Sequence, residues 1–335
     1  MMRIGIPRAL LYYQYYPMWK TFFEELGAEV VVSPPTTQTM LTEGSARVVA
    51  DTCLPVKIFL GHVLSLVEQC DWIFVPAVCS VKRNVYNCSK FLGLPDMTRA
   101  VIPESPPILD IEIDTNKGER RLYQTIFSLG RHFTWNPLKV RQAGIAAWQA
   151  HLNYKELMSS QRLTPIEAIV ENSDIPEAAH KAPAVHPNSP RATIALIGHP
   201  YLLYDAYINH QIIKRLEQAD NKVLTPEMLN SQELELATAR LVGRAYWTYE
   251  EEVVGAGGHY LQNGADGVIG IIAFGCGPDS LMMDMVRREA AGMRSTPFMN
   301  LTLDEHTAEA GMLTRLEAFT DMIYRRKDRQ VKVCV

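Results

Sequence analysis

One layout occurs twice along this chain, and it constrains the fold more than any other feature. Arg3-Ile-Gly-Ile-Pro7 reads as a short apolar strand, followed by an aromatic-rich helix ending near Gly27 and by a second strand, Ala28-Glu-Val-Val-Val-Ser33. Thr193-Ile-Ala-Leu-Ile-Gly-His-Pro200 begins the same series again, with a helix expected over Asp205–Gln218 and a strand at Lys222-Val-Leu-Thr-Pro226. Pro7 faces Pro200, Leu11 faces Tyr204 and Glu24 faces Glu217 at one constant offset, and the strand Trp72–Pro76 faces Val268–Ile272 at nearly the same one. Strands alternating with helices of this length imply βαβ units, which build parallel sheets through right-handed crossovers. The expectation is an α/β protein: two doubly wound, Rossmann-like domains with parallel sheets and a helical connecting segment. The first domain spans residues 1–135, the connector 136–190 and the second domain 191–335. The connector opens with a helical run, Pro137–Asn172, whose Val140, Ala143, Ala147 and Leu152 fall near helical spacing. It closes in the Pro-rich stretch Lys181–Pro190, read as a linker.

Bulk properties remove several function classes. A formal net charge of −4 gives no electrostatic case for nucleic acid or an anionic membrane surface. The longest apolar stretch, Asp266–Gly275, is too short and too rich in glycine to span a bilayer. The Met-Met-Arg-Ile-Gly-Ile start reads as a strand, without the apolar core of a signal peptide, so a cytoplasmic location is expected. No nucleotide-binding glycine motif, H-E-x-x-H or G-x-S-x-G stands in its proper context.

Four of the six cysteines stand where an apolar run breaks into a turn or a helix start. Cys53 lies in Asp51-Thr-Cys-Leu-Pro-Val-Lys57, Cys79 and Cys88 in the segment Val75–Cys88, and Cys276 in Phe274-Gly-Cys-Gly-Pro-Asp279. Ligands of parallel α/β sheets bind at strand ends, and thiolates presented there suit soft metals and iron–sulfur clusters. Pro55 is placed to open a helix, which puts Cys53 at its N-terminus, where the dipole and free N–H groups favour a thiolate. Lys57, one turn in, adds positive charge; its other reading is a solvated lysine on a helix face. Gly275 and Gly277 flank Cys276, permit close backbone approach and can donate N–H groups to a cluster. Paired C-x-x-C spacings typical of structural zinc do not occur. Cys70 and Cys334 read as ordinary free cysteines.

Other polar residues are candidates for a cleft between the two domains. His199 follows the first strand of the second half, and Asp304-Glu305-His306 follows its last strand. His199, Glu305 and His306 are the candidate proton-transfer groups, imidazole being able to exchange protons near neutral pH. Asp279 reads as a cap for the helix that follows it.

Taken together, Ile4-Gly-Ile-Pro-Arg8, the Cys53 segment, Phe74-Val-Pro76 with Cys79 and Cys88, Gly198-His-Pro-Tyr201 with Asp205 and Ile208-Asn-His210, the Cys276 segment and Asp304-Glu305 resemble a known family. It is the 2-hydroxyacyl-CoA dehydratase / benzoyl-CoA reductase superfamily, in its branch of acyl-CoA dehydratase activase-related proteins. The resemblance implies two α/β domains carrying a 4Fe–4S cluster or, in one branch, a double cubane. It implies Cys53, Cys79, Cys88 and Cys276 as ligands, with low-potential electrons delivered by a separate ATP-hydrolysing iron–sulfur activase. The function it implies is reduction, or reductive activation, of a small substrate of unknown identity. A carrier with a fully Cys-ligated cluster and no substrate site is the alternative. A homodimer, with or without a shared cluster, follows from superfamily habit. No segment matches a CoA-binding element.

Overall fold

The computed structural model describes residues 1–171, 190–293 and 296–333. The chain forms two compact units, Met1–Met158 with Ala245–Thr248, and Ser159–Arg244 with Tyr249–Val335.

The first unit is built on four parallel strands, β1 (Arg3–Ile6), β2 (Glu29–Val32), β3 (Trp72–Phe74) and β5 (Ile108–Leu109), in the order β2-β1-β3-β5. A separate parallel pair joins β4 (Ala77–Ser80) to β6 (Glu112–Asp114). Its helices are α1 (Tyr12–Glu25), α2 (Gln38–Ala46), α3 (Leu54–Leu66), α4 (Ser89–Leu92), α5 (Leu94–Val101), α6 (Glu119–Gly130) and most of α7 (Pro137–Gln161). Tyr12, Tyr13 and Tyr16 of α1 are buried, and the Tyr154 hydroxyl of α7 donates to the Tyr13 carbonyl at 2.7 Å. The aromatic run at 12–16 is therefore core packing.

The second unit repeats the order. Strands β7 (Ala192–Gly198), β8 (Asn221–Leu224), β9 (Gly267–Ala273) and β10 (Phe298–Leu303) lie as β10-β9-β7-β8, all parallel. Helices α8 (Pro165–Glu171), α9 (Pro200–Leu203), α10 (Ile212–Gln218), α11 (Ser231–Val242), α12 (Ala256–Gln262), α13 (Gly277–Met293) and α14 (Glu309–Val333) complete it. Every residue of β7 but Thr193 and all of β9 are buried, the continuous apolar pattern of strands covered on both faces. In either unit the chain moves one way from its first strand to its second and the other way to its third. Right-handed crossovers then put the connecting helices on opposite faces, which makes each unit doubly wound.

Three local expectations need correction. The helix expected over Asp205–Gln218 begins only at Ile212, because His210 and Gln211 take left-handed backbone (φ 52° and 59°). Before it, the Asp205 carboxylate accepts the N–H groups of Tyr207 and Ile208 and so holds a turn. The run from Pro137 breaks at Arg162 (φ 57°) before α8, and its Leu152 faces solvent while Val140, Ala143 and Ala147 are buried. The Pro-rich linker lies, except for Pro190, outside the described residues. No described helix is long and apolar enough to cross a membrane.

Candidate functional site

In the first unit, backbone and side-chain bonds draw three cysteine segments together. Two glycines set the close crossing of α2 and α3: a Cβ on Gly44 would stand 2.0 Å from the Lys57 carbonyl oxygen, and one on Gly61 2.1 Å from that of Met40. This crossing fixes α3, and Cys53 is its N-cap with Pro55 in the first turn, as expected. Cys79 sits on β4, and its carbonyl accepts the Asn87 N–H at 2.8 Å while the Asn87 side chain donates to Val78. The loop between them thus closes beside β4 and delivers Cys88 as the N-cap of α4. Tyr86, in that loop, pairs with the returning segment Ala245–Thr248 through bonds to Tyr246 and Thr248. From α4, the Lys90 ammonium reaches the Cys53 sulfur at 3.6 Å.

Cys53, Cys79 and Cys88 are all half-buried. Burial and the neighbouring Asp114 carboxylate hold the Cys79 thiol above its usual range, an environment less favourable to thiolate than the sequence suggests. Lys57 is not a solvated residue: it is buried, and its ammonium donates to the Ala50 carbonyl at 2.9 Å. The cation in contact with the Cys53 sulfur is Lys90. Its sequence context, two residues after Cys88 on a four-residue helix, carried no signal of the contact. Cys70 is buried under β1, where burial pushes its thiol up to about 11.

In the second unit, the reversal in strand order falls between β7 and β9, the crevice where doubly wound sheets bind ligands. Gly198 closes β7 at φ 156°, with the Ile271 carbonyl oxygen 2.6 Å from where a Cβ would stand, so only glycine fits. His199 follows as N-cap of α9, with Pro200 in the first turn. On the adjacent strand, Gly275 turns the chain at φ 77° after β9, and Cys276 accepts the Ser280 N–H that starts α13. Gly277 opens α13 with no special backbone, and a Cβ there would meet nothing within 4 Å. Asp279 does not cap this helix from outside. It is the third residue of α13, fully buried, and its Oδ2 accepts the Ala273 N–H at 3.1 Å.

His199 Nδ1 lies 3.7 Å from Asp279 Oδ1 and 2.7 Å from the Tyr201 hydroxyl. The rings of Tyr201 and Tyr249 pack on the imidazole at 5.0 and 4.9 Å. Tyr249 holds a left-handed backbone (φ 74°) just before a π-helical turn, Glu251–Gly255; both features concentrate at functional sites. Burial drives the His199 imidazole down and the Asp279 carboxyl up, each towards its neutral form, with their mutual attraction opposing. Ligand atoms of His199, Cys276 and Asp279 all lie within 4.8 Å of one another, and among the described residues no other three His, Cys, Asp or Glu groups converge so closely.

The same sheet edge carries two further carboxylate sites. Glu227, after β8, takes a hydrogen bond from Tyr204, and burial raises its carboxyl to about 7. Leu303 of β10 pairs with Ala273, so the Asp304–Thr307 loop leaves the sheet beside the Cys276 turn. There Asp304 Oδ1 accepts the His306 N–H, and the His210 imidazole bonds the Thr307 carbonyl oxygen at 3.2 Å. His306 is exposed and Glu305 half-buried. Of the expected proton-transfer groups, His199 alone is enclosed.

A doubly wound chain with thiols and an imidazole at its strand and helix ends is suited to metal-dependent or redox chemistry. The chain matches the family described as CoA enzyme activase uncharacterised domain (DUF2229) over residues 3–229, and it belongs to that family. The match includes Cys53, Cys79, Cys88 and His199, and it carries the activase-related part of the resemblance. Comparison with curated proteins finds no match.

Proposed function

We propose that the chain is the iron–sulfur partner of an ATP-hydrolysing activase, taking low-potential electrons and using them to reduce or reductively activate a small substrate. The observation that carries this reading is the assembly in the first unit: three half-buried cysteines, two at helix N-termini, with the Lys90 ammonium on the Cys53 sulfur. The donor set suits the group. Cysteine sulfurs are the ligands iron–sulfur clusters take, and three of them leave one iron of a 4Fe–4S cluster for another ligand. When bound, the cluster supplies the one-electron chemistry. The chain's own residues hold it, shield it and set its potential through charge and N–H contacts.

Three-cysteine ligation favours an enzyme over a carrier, since a carrier's cluster would be fully ligated by cysteine. Cys276, the fourth ligand implied by the resemblance, has His199 and Asp279 as partners in its own unit. Anaerobic reconstitution of the parent chain and of Cys53→Ala, Cys79→Ala and Cys88→Ala variants tests the reading by iron content. Each variant is expected to lose most of its iron; full iron in any one of them removes that cysteine from the ligand set.

A further inference from the structure

Asp279 poses a physical question that its own fold does not answer. The residue is fully buried, yet its Oδ1 has no hydrogen-bond partner among the described residues. Leaving a carboxyl oxygen enclosed without a hydrogen bond is costly. Such a group is ordinarily explained by a cation or another ligand. His199 Nδ1 lies 3.7 Å from this oxygen, and ligand atoms of His199, Cys276 and Asp279 all lie within 4.8 Å of one another.

We propose that the second unit holds a metal site of its own, in which His199, Cys276 and Asp279 bind one thiophilic divalent ion of the zinc class. Imidazole, thiolate and carboxylate are the donor types zinc takes, and thiolate plus carboxylate balance its charge. Tetrahedral coordination with bonds of about 2.0–2.3 Å sets ligand atoms roughly 3.3–3.8 Å apart. The 3.7 Å between His199 Nδ1 and Asp279 Oδ1 is already such a spacing. Backbone that only glycine readily adopts, at Gly198 and Gly275, holds the two strand ends that carry His199 and Cys276. Binding through Nδ1 would take the place of the hydrogen bond that the Tyr201 hydroxyl makes there.

An iron–sulfur cluster built by this unit alone is a poorer fit, because Cys276 is its one cysteine among the described residues. Three protein ligands leave a fourth position for water or a substrate oxygen, the pattern of catalytic rather than structural zinc. The site stands at the strand-order reversal, where a small ligand is expected. It uses residues of the second unit only, so it stands or falls independently of the cluster proposed for the first.

The test is titration of Co²⁺ into full-length metal-free chain carrying Cys53→Ala, Cys79→Ala and Cys88→Ala, read by the thiolate-to-cobalt charge-transfer absorption. The expected result is about one Co²⁺ per chain, displaced by Zn²⁺. The band should vanish in Cys276→Ser, and affinity should fall at least about tenfold in Asp279→Asn, which keeps an acceptor for the Ala273 N–H. A folded chain with no such band, or a band that survives Cys276→Ser, overturns the proposal. If the triple substitution prevents folding, the difference spectrum between the parent chain and its Cys276→Ser variant decides the same point: a lost band supports the site and an unchanged one refutes it.

Discussion

Replacing Gly61 with alanine should destabilise the first unit, although the same change at most helix positions stabilises. The new Cβ would stand 2.1 Å from the Met40 carbonyl oxygen, where real Cβ contacts essentially never fall under 3.0 Å. Helices α2 and α3 would have to part by about 0.9 Å, and the obstacle is backbone, which cannot rotate aside. Overpacking of this kind costs about 1–3 kcal/mol, here at the upper end, against a gain of ~1 kcal/mol from alanine's helix propensity. The net expectation is a loss of roughly 2 kcal/mol. Gly144→Ala is the internal control. It also lies within a helix of the first unit, but its Cβ would meet only the Ile126 methyl at 3.9 Å, so a gain approaching ~1 kcal/mol is expected. Tryptophan fluorescence in urea reads this unit selectively, because all five tryptophans (19, 72, 135, 148 and 247) belong to it. Since α3 carries Cys53 at its cap, the Gly61→Ala chain should also hold iron less well. Equal stability of the two variants would refute the argument from the helix crossing.

Glu227→Gln should change how the second unit responds to pH. A carboxyl at about 7 in the folded chain, against 4.5 ordinarily, binds a proton that the unfolded chain releases, so parent stability falls as pH rises from about 4.5 to 7. The variant should gain on the parent by up to ~3 kcal/mol across that window in far-UV circular dichroism, less for solvent reaching the half-buried side chain; a constant difference would refute it. The first unit should behave oppositely. Burial lowers His62 to about 3 and His151 to about 4, so the stability their neutral forms carry is full above pH 6.5 and is lost as pH falls towards those values. Tryptophan fluorescence should therefore give a lower urea midpoint at pH 5 than at pH 7; an equal midpoint counts against it. Lys90→Met should retain a bound cluster but lower its reduction potential, since an ammonium next to the Cys53 sulfur favours the more negative reduced state. An unchanged potential in a redox titration would show that the lysine does not act on it.

Much of the fold was legible because it is local and periodic. The duplicated strand–helix–strand layout gave both sheets, and Pro55 marked the helix that Cys53 caps. Gly275, before Cys276, takes left-handed backbone, as its glycine allows. What escaped was set by tertiary partners. His210 and Gln211 break an expected helix without any glycine or proline to announce it, because Asp205, Asn209 and His210 bond elsewhere. Asp279 has the sequence position of a cap, but its carboxylate turns back to Ala273 and towards His199, across a gap of some eighty residues in sequence. The Lys90 contact has the same origin: that this lysine meets the Cys53 sulfur depends on how the Cys79–Cys88 loop closes on β4. The return of Ala245–Thr248 to the first unit is a long-range pairing that no local pattern encodes.

Iron and acid-labile sulfide per chain, measured on anaerobically prepared protein together with the EPR spectrum after dithionite reduction, test the central claim most directly. The account predicts about four of each per chain with a reduced-cluster signal, kept in Cys276→Ala and lost in Cys53→Ala. Iron-free protein, or iron that disappears when Cys276 is replaced and stays when Cys53 is, would contradict it.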